Sequence, residues 1–204
     1  MQVIYWILIV VIGYALGNLN GALMISKLLM HDDVRSHGSG NAGLTNFFRT
    51  YGGFQSLLVI AIDILKCVAA CVIAGLILPD QMLHAKMVAG VATIFGHSYP
   101  AAAGFRGGKG ILCGLALAIS TDWRVALIIF TLFVVLVAAT RYVSLGSILA
   151  AVTFAVCFCV FYWGDWLVCV LAVAAAAFVV FRHRGNLVRL LKGTESKLSF
   201  RKKK

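Results

Sequence analysis

An all-helical bundle embedded in a membrane is the fold this sequence predicts, on three observations. Hydrophobic residues make up 62% of the 204 residues and charged residues 12%, far more apolar than a soluble domain. Several apolar runs approach or exceed the roughly 20 residues that carry a helix across a hydrocarbon core. The basic residues behind the net charge of +11 lie largely between and after those runs, half of them from Arg182 onward. No internal repeat is visible. The whole of 1–204 reads as a single integral-membrane domain, with 182–204 as a basic tail.

The first apolar run extends from Val3 to about Leu29. It lacks the basic n-region and small-residue cleavage site of a signal peptide. Gly13, Gly17 and Gly21 recur every four residues, which would line one helix face and permit close packing. Asn18 and Asn20 are polar at membrane depth, and each needs a partner. A polar segment, 31–53, follows. The second run, about Phe54 to Leu78, ends at Pro79-Asp80 and carries Asp63 and Lys66, three apart on one face. Charges at that depth are costly, and a structural ion pair is favoured over a direct catalytic role.

The third run covers about Met82 to Tyr99 and is broken by Pro100. The short run Ile111 to Thr121 follows a glycine-rich stretch, Gly104 to Gly110. At about 1.5 Å per residue it cannot cross a core of roughly 30 Å. The glycine-rich stretch is therefore expected to dip below the membrane surface, unless the bilayer thins there. Irregular backbone at that depth needs cover from protein or water. A fifth helix is expected over about Val125 to Thr140, then a connector from Arg141 to Ser147. A sixth follows over about Ile148 to Tyr162, and a seventh over Trp166 to Phe181.

About seven spans place 31–53, 100–110, 141–147 and 182–204 on one face. That face carries Arg35, Arg49, Arg106, Lys109, Arg141 and the tail; the other has only Lys86 and Arg124. The positive-inside rule then puts the polar segments and C-terminus in the cytoplasm and the N-terminus outside. Anionic membrane lipid is a better partner for the tail than nucleic acid. The six cysteines fall inside apolar runs, without metal-ligand spacing to a histidine. Buried thiols are expected, with no disulfide and no metal.

Two segments carry the chemistry. Ser36 to Arg49 interleaves Gly38, Gly40 and Gly43 with Ser39, Asn41, Thr45 and Asn46. Glycine lets backbone N–H groups converge into a concavity that suits an anion, and Arg49 adds a planar charged fork. The second segment sets Lys109 among Gly107, Gly108 and Gly110. It is not a Walker A, since Ala103 and Gly110 stand where that pattern needs glycine and Ser or Thr. No nucleotide cofactor is indicated. The His-x-x-x-x-Asp pattern of acyl-CoA-dependent glycerolipid acyltransferases is absent, as is a Gly-x-Ser-x-Gly elbow.

The combination resembles a family. The segments that carry the likeness are Gly38 to Arg49, His97-Ser-Tyr-Pro100 through Phe105-Arg-Gly-Gly-Lys-Gly110, Ser144-Leu-Gly-Ser147 and Arg182 to Gly193; Asp33-Val-Arg35 and Asp63-Ile-Leu-Lys66 also fit. Together and in this order they resemble the bacterial membrane acyltransferases that move a fatty acyl group from acyl phosphate to glycerol 3-phosphate. Departures are Leu44, where the family usually has Ala, Asn18-Leu-Asn20, where it has Ser-x-Pro, and Gly185, where a polar or charged residue is more usual.

The resemblance implies seven helices in the bacterial cytoplasmic (inner) membrane around a cytoplasm-facing site, with no metal and no cofactor. Glycerol 3-phosphate and acyl phosphate are the implied substrates, lysophosphatidic acid and phosphate the products. Catalysis is expected from His183, Asn186, Lys109 and Arg49. Substrate binding is expected from Ser39, Asn41, Thr45, Asn46, Arg49, His97, Gly107, Gly108, Lys109, Gly110, Ser144 and Ser147. His97 reads as a general base or, about equally, as a structural histidine at a helix end. No Asp or Glu is evident among the motifs as a base, so proton removal by a substrate phosphate is the other reading. A transporter of phosphorylated metabolites is the chief alternative; it would favour internal repeats and polar residues through both halves of the membrane. Oligomeric state is left open.

Overall fold

The computed structural model describes residues 2–198. Residue 1 and residues 199–204, the end of the basic tail, lie outside the described residues. The described residues form ten α-helices and no strand. They are α1 (Gln2–Gly17), α2 (Gly21–Leu29), α3 (Leu44–Tyr51), α4 (Gln55–Ile77), α5 (Met82–Ser98), α6 (Ile111–Thr121), α7 (Trp123–Thr140), α8 (Val143–Phe161), α9 (Trp166–Arg182) and α10 (Arg184–Leu191). Four stretches are long and apolar enough to cross a membrane: Gln2–Leu29, Gln55–Ile77, Trp123–Thr140 and Val143–Phe161. The bent pair α9 and α10 would supply a fifth. The chain divides into two compact units, one ending at Asp122 and the other beginning at Trp123.

In the first unit, the single N-terminal helix expected from hydropathy is broken. α1 stops at Gly17 and α2 begins at Gly21. A break exposes carbonyls at one helix end and N–H groups at the next, and these need partners away from water. Asn18 Nδ2 donates to the Tyr14 carbonyl at 2.7 Å. The Asn20 side chain caps α2, its Oδ1 accepting from Leu23 N at 3.0 Å. The buried pair on α4 supplies the rest: Lys66 Nζ donates to the Leu19 carbonyl at 2.7 Å, and Asp63 Oδ1 accepts from Gly21 N at 3.1 Å. The cation thus sits at the carbonyl end of α1 and the carboxylate at the amide end of α2, the favourable sense for both helix dipoles.

The break also splits the glycine face. A Cβ at Gly13 would lie 2.7 Å from the Ala89 carbonyl, and one at Gly17 2.6 Å from that of Thr93, so both positions press against α5. Gly21 instead faces α4, where a Cβ would lie 2.8 Å from the Val59 carbonyl.

The second unit corrects two further expectations. Ser144 to Ser147 is not part of a connector but the first turns of α8, which starts at Val143. The basic tail, expected to follow the seventh helix directly, begins with a further helix: α9 ends at Arg182, His183 caps it, and the chain bends by 59° into α10. The Asp165 carboxylate caps α9, accepting from Val168 N at 3.2 Å. Leu198 N donates to the Arg141 carbonyl at 2.7 Å, returning the chain beyond α10 to the start of α8.

Candidate active site

The loop before α3 is shaped by its own polar side chains. Asp33 caps a short turn, Val34–Ser36, by accepting from Arg35 N at 2.9 Å. The Arg35 guanidinium binds both Asp33 oxygens, through Nε at 3.0 Å and Nη2 at 2.7 Å. That hydrogen-bonded guanidinium holds the Asp33 carboxyl down to about 2. Arg35 Nη1 then reaches the second polar loop, donating to the carbonyls of Ala103 at 2.8 Å and Arg106 at 3.2 Å. One arginine therefore ties the two glycine-rich segments together.

Asn46 is 3% exposed. Its Nδ2 donates to the Val34 and His37 carbonyls, at 2.9 and 3.0 Å, and its Oδ1 accepts from Ser39 N at 3.0 Å. Expected either to bind phosphate or to shape its loop, Asn46 makes the contacts of a loop former. Ser39 is exposed at the crown of the loop; Asn41 and Thr45 are half-buried beside it, and Arg49 is exposed on the last turn of α3.

The second loop uses its glycines in a way spacing alone did not show. Gly107 N donates to the Ser98 carbonyl and Gly108 N to the His97 carbonyl, each at 3.1 Å. Those N–H groups fold the chain back on the end of α5. The glycines are needed for close approach: a Cβ at Gly108 would overlap His97 Nε2 and lie 2.7 Å from the Ala42 carbonyl of the first loop. Gly110, at φ 85°, is the left-handed residue that starts α6, a conformation that glycine adopts at little cost. Lys109, half-buried, stands immediately before that helix N-terminus, where dipole and ammonium favour an anion alike.

Beneath the junction of the loops lies His97, 3% exposed. Its Nδ1 is 2.9 Å from Lys66 Nζ, 3.3 Å from Asp63 Oδ1 and 3.4 Å from Asn20 Nδ2. Asn20 Nδ2 also donates to the Ala42 carbonyl at 3.0 Å. The ion pair thus serves the helix break and the loop junction together.

In the second unit, a residue that the motifs did not single out organises the site residues. Glu195, 8% exposed, accepts from Ser144 Oγ, Asn186 Nδ2 and Arg189 Nε, each at 2.7 Å. Burial raises the carboxyl's proton affinity, but these three hydrogen bonds outweigh it and hold the group below its ordinary value. The Ser144 hydroxyl and the Asn186 amide, expected to meet substrate, are here donated to Glu195. Ser147 Oγ donates to the Val143 carbonyl at 2.9 Å. His183 sits at the α9–α10 bend, with Nδ1 donating to the Val179 carbonyl at 2.8 Å. A carbonyl can only accept, so in the neutral ring Nε2 carries the lone pair. One sequence signal could have found Glu195: it is the only glutamate in the chain and stands within its most basic stretch. Among the described residues, no three His, Cys, Asp or Glu side chains cluster closely enough to hold a metal ion.

The family model for glycerol-3-phosphate acyltransferases matches residues 7–193. The chain belongs to that family. Relatives named glycerol-3-phosphate acyltransferase include one from Thermoanaerobacter sp. (strain X514), 37% identical over 95% of this chain and 96% of its own length. Another, from Clostridioides difficile (strain 630), is 35% identical over 99% of this chain and 100% of its own length. Among solved structures, PlsY (YgiH), described as an integral membrane glycerol 3-phosphate acyltransferase, matches in its glycerol 3-phosphate form. Its TM-score is 0.87 at 32% identity, covering 95% of this chain and 96% of that one. The lysophosphatidic acid form of PlsY matches with a TM-score of 0.83 at 31% identity. The likeness thus extends over the helical architecture of nearly the whole chain.

Proposed function

We propose that this chain transfers a fatty acyl group from acyl phosphate to the 1-hydroxyl of glycerol 3-phosphate, yielding lysophosphatidic acid and inorganic phosphate for phospholipid synthesis. The observation that carries the reading is the likeness, over 95% of the chain, to a solved acyltransferase described in its glycerol 3-phosphate form. Acyl phosphate is a mixed anhydride, so its phosphate leaves without metal or nucleotide help. The hydroxyl oxygen attacks the acyl carbon, the carbon–oxygen bond to phosphate breaks, and the hydroxyl proton passes to a base.

In this reading Lys109 and Arg49 hold phosphate charge, with Ser39, Asn41 and Thr45 as polar partners and Asn46 keeping their loop in shape. Charge-assisted contacts of this kind are the strong ones, and they matter most where charge grows in the transition state. In its neutral form His183 is suited to accept the proton, because Nδ1 donates to Val179 and the lone pair is then on Nε2. The substrate phosphate is the competing acceptor. Glu195 orients Ser144 and Asn186, and Ser147 lies one helical turn further on. We place the protein as a single domain of about seven spans in the bacterial cytoplasmic membrane, its site and basic tail facing the cytoplasm.

The test is direct. Purified protein is given glycerol 3-phosphate with either acyl phosphate or acyl-CoA, and lysophosphatidic acid is measured. Product from acyl phosphate alone is expected; comparable rates from both donors would remove the donor assignment. Product from neither, with glycerol 3-phosphate uptake by proteoliposomes, would instead favour a transporter.

A further inference from the structure

The buried pair Asp63 and Lys66 has more to do than neutralise itself. An ammonium has three hydrogens to donate. Of the four acceptors around Lys66 Nζ, three are close, Asp63 Oδ1 at 2.7 Å, the Leu19 carbonyl at 2.7 Å and His97 Nδ1 at 2.9 Å, while the Gly17 carbonyl lies farther off at 3.4 Å. An N–H cannot face another N–H at that distance, so Nδ1 must be the acceptor. Asp63 Oδ1, 3.3 Å from Nδ1, competes by drawing a proton onto it. That oxygen is already engaged by Lys66 Nζ and by Gly21 N at 3.1 Å. Asn20 Nδ2, a further donor 3.4 Å from Nδ1, has the same polarity as the ammonium.

We propose that Lys66 sets the tautomer of His97, keeping the ring proton on Nε2 and so making His97 a hydrogen-bond donor, not a base, at the junction of the two glycine-rich loops. Asp63 holds Lys66 in place for this. Nε2 is the atom that a Cβ at Gly108 would strike, and the same Cβ would crowd the Ala42 carbonyl. The His97 backbone carbonyl accepts from Gly108 N as well. Ring and backbone of one residue thus brace the turn that delivers Lys109 to the start of α6. Lys66 and Asp63 are positioning residues, acting through His97. The catalytic consequence rests on the acyltransferase reading above; the tautomer does not.

The experiment uses the full-length protein in detergent micelles with 15N-labelled histidine, His97 being assigned by its loss in His97→Gln. Long-range proton–nitrogen correlations show which ring nitrogen is protonated. In the wild type, the His97 signal should be that of the Nε2–H form. In Lys66→Met the Asp63 carboxylate keeps Gly21 N and faces Nδ1 without a competing ammonium, and Nδ1 should gain a proton. kcat/KM for glycerol 3-phosphate should fall at least about tenfold, mostly through KM. The double variant Asp63→Asn, Lys66→Met removes the carboxylate that pulls the proton. It should return His97 to the Nε2–H form and regain at least about threefold of the lost kcat/KM. A pair that only stabilises the fold would leave the double variant no better than the single one, which would overturn the proposal. So would an Nδ1–H wild type, a result that stands even if Lys66→Met does not fold. A wild type that turns over no glycerol 3-phosphate would remove the acyltransferase reading and leave the tautomer result intact.

Discussion

Truncating Glu195 to alanine tests the clamp in the second unit most sharply. The substitution removes the acceptor of three hydrogen bonds at once. Two of the donors are buried, Ser144 at 6% and Asn186 at 8% exposure. A buried donor left without a partner costs about 1–3 kcal/mol, so the two together predict a loss of roughly 2–6 kcal/mol on the same scale. Arg189 adds little: its side chain is 44% exposed and can turn to water, as surface ion pairs are worth about 0–1 kcal/mol. For a chain of this size each kcal/mol moves Tm by roughly 2–4 °C, so Glu195→Ala should melt at least about 4 °C lower in detergent, at pH 7. Glu195→Gln separates charge from shape. Its side-chain carbonyl can take the place of Oε1 and accept from both Ser144 and Asn186, while its amide meets only the exposed Arg189. It should keep most of the stability. The assay is thermal unfolding of both purified variants beside the wild type. If Glu195→Ala melts within about 1 °C of the wild type, the three contacts do not hold this segment and the clamp is wrong.

Lys109→Met removes a charge-assisted contact worth roughly 1.5–3 kcal/mol; steady-state kinetics should show kcat/KM down at least about tenfold, since about 1.36 kcal/mol is that factor, with Tm unchanged. Gly108→Ala should abolish most activity, because its methyl group would overlap His97 Nε2 and crowd Ala42, whereas Gly114→Ala, with nothing within 4 Å of the added carbon, should be silent in the same assay. Glu195 has a folded-state pKa depressed from its ordinary 4.5, so its stabilising contribution is complete above that value and is lost as pH falls through the lower folded one; the wild type should lose Tm in that acid window more steeply than Glu195→Gln. A cysteine replacing the exposed Ser196 should react with an impermeant thiol reagent only once the cytoplasmic side is opened, and labelling in intact cells would reverse the proposed orientation.

By itself the sequence determined the helical class, the apolar runs that became α4, α5, α6, α7 and α9 within a few residues, and the glycine-rich segments by which the family was recognised. These are local properties: hydropathy, helix-breaking residues and motif spacing are all read within a short window of chain. The tertiary structure alone decided which polar groups meet. Asn18 and Asn20 lie within one long apolar run, and that run could break between them only because Lys66 and Asp63, on another helix, satisfy the freed carbonyl and amide. Glu195 looked like a stray acid in a basic tail until the chain beyond α10 brought it to Ser144, 51 positions away. Arg141 to Ser147 read as a connector between two apolar runs, yet Ser144 to Ser147 are the opening of α8, where the Ser147 hydroxyl bonds back to the preceding turn. Away from water a polar group must find its partner within the protein, and that partner is chosen by proximity in the folded chain, which the order of residues does not display.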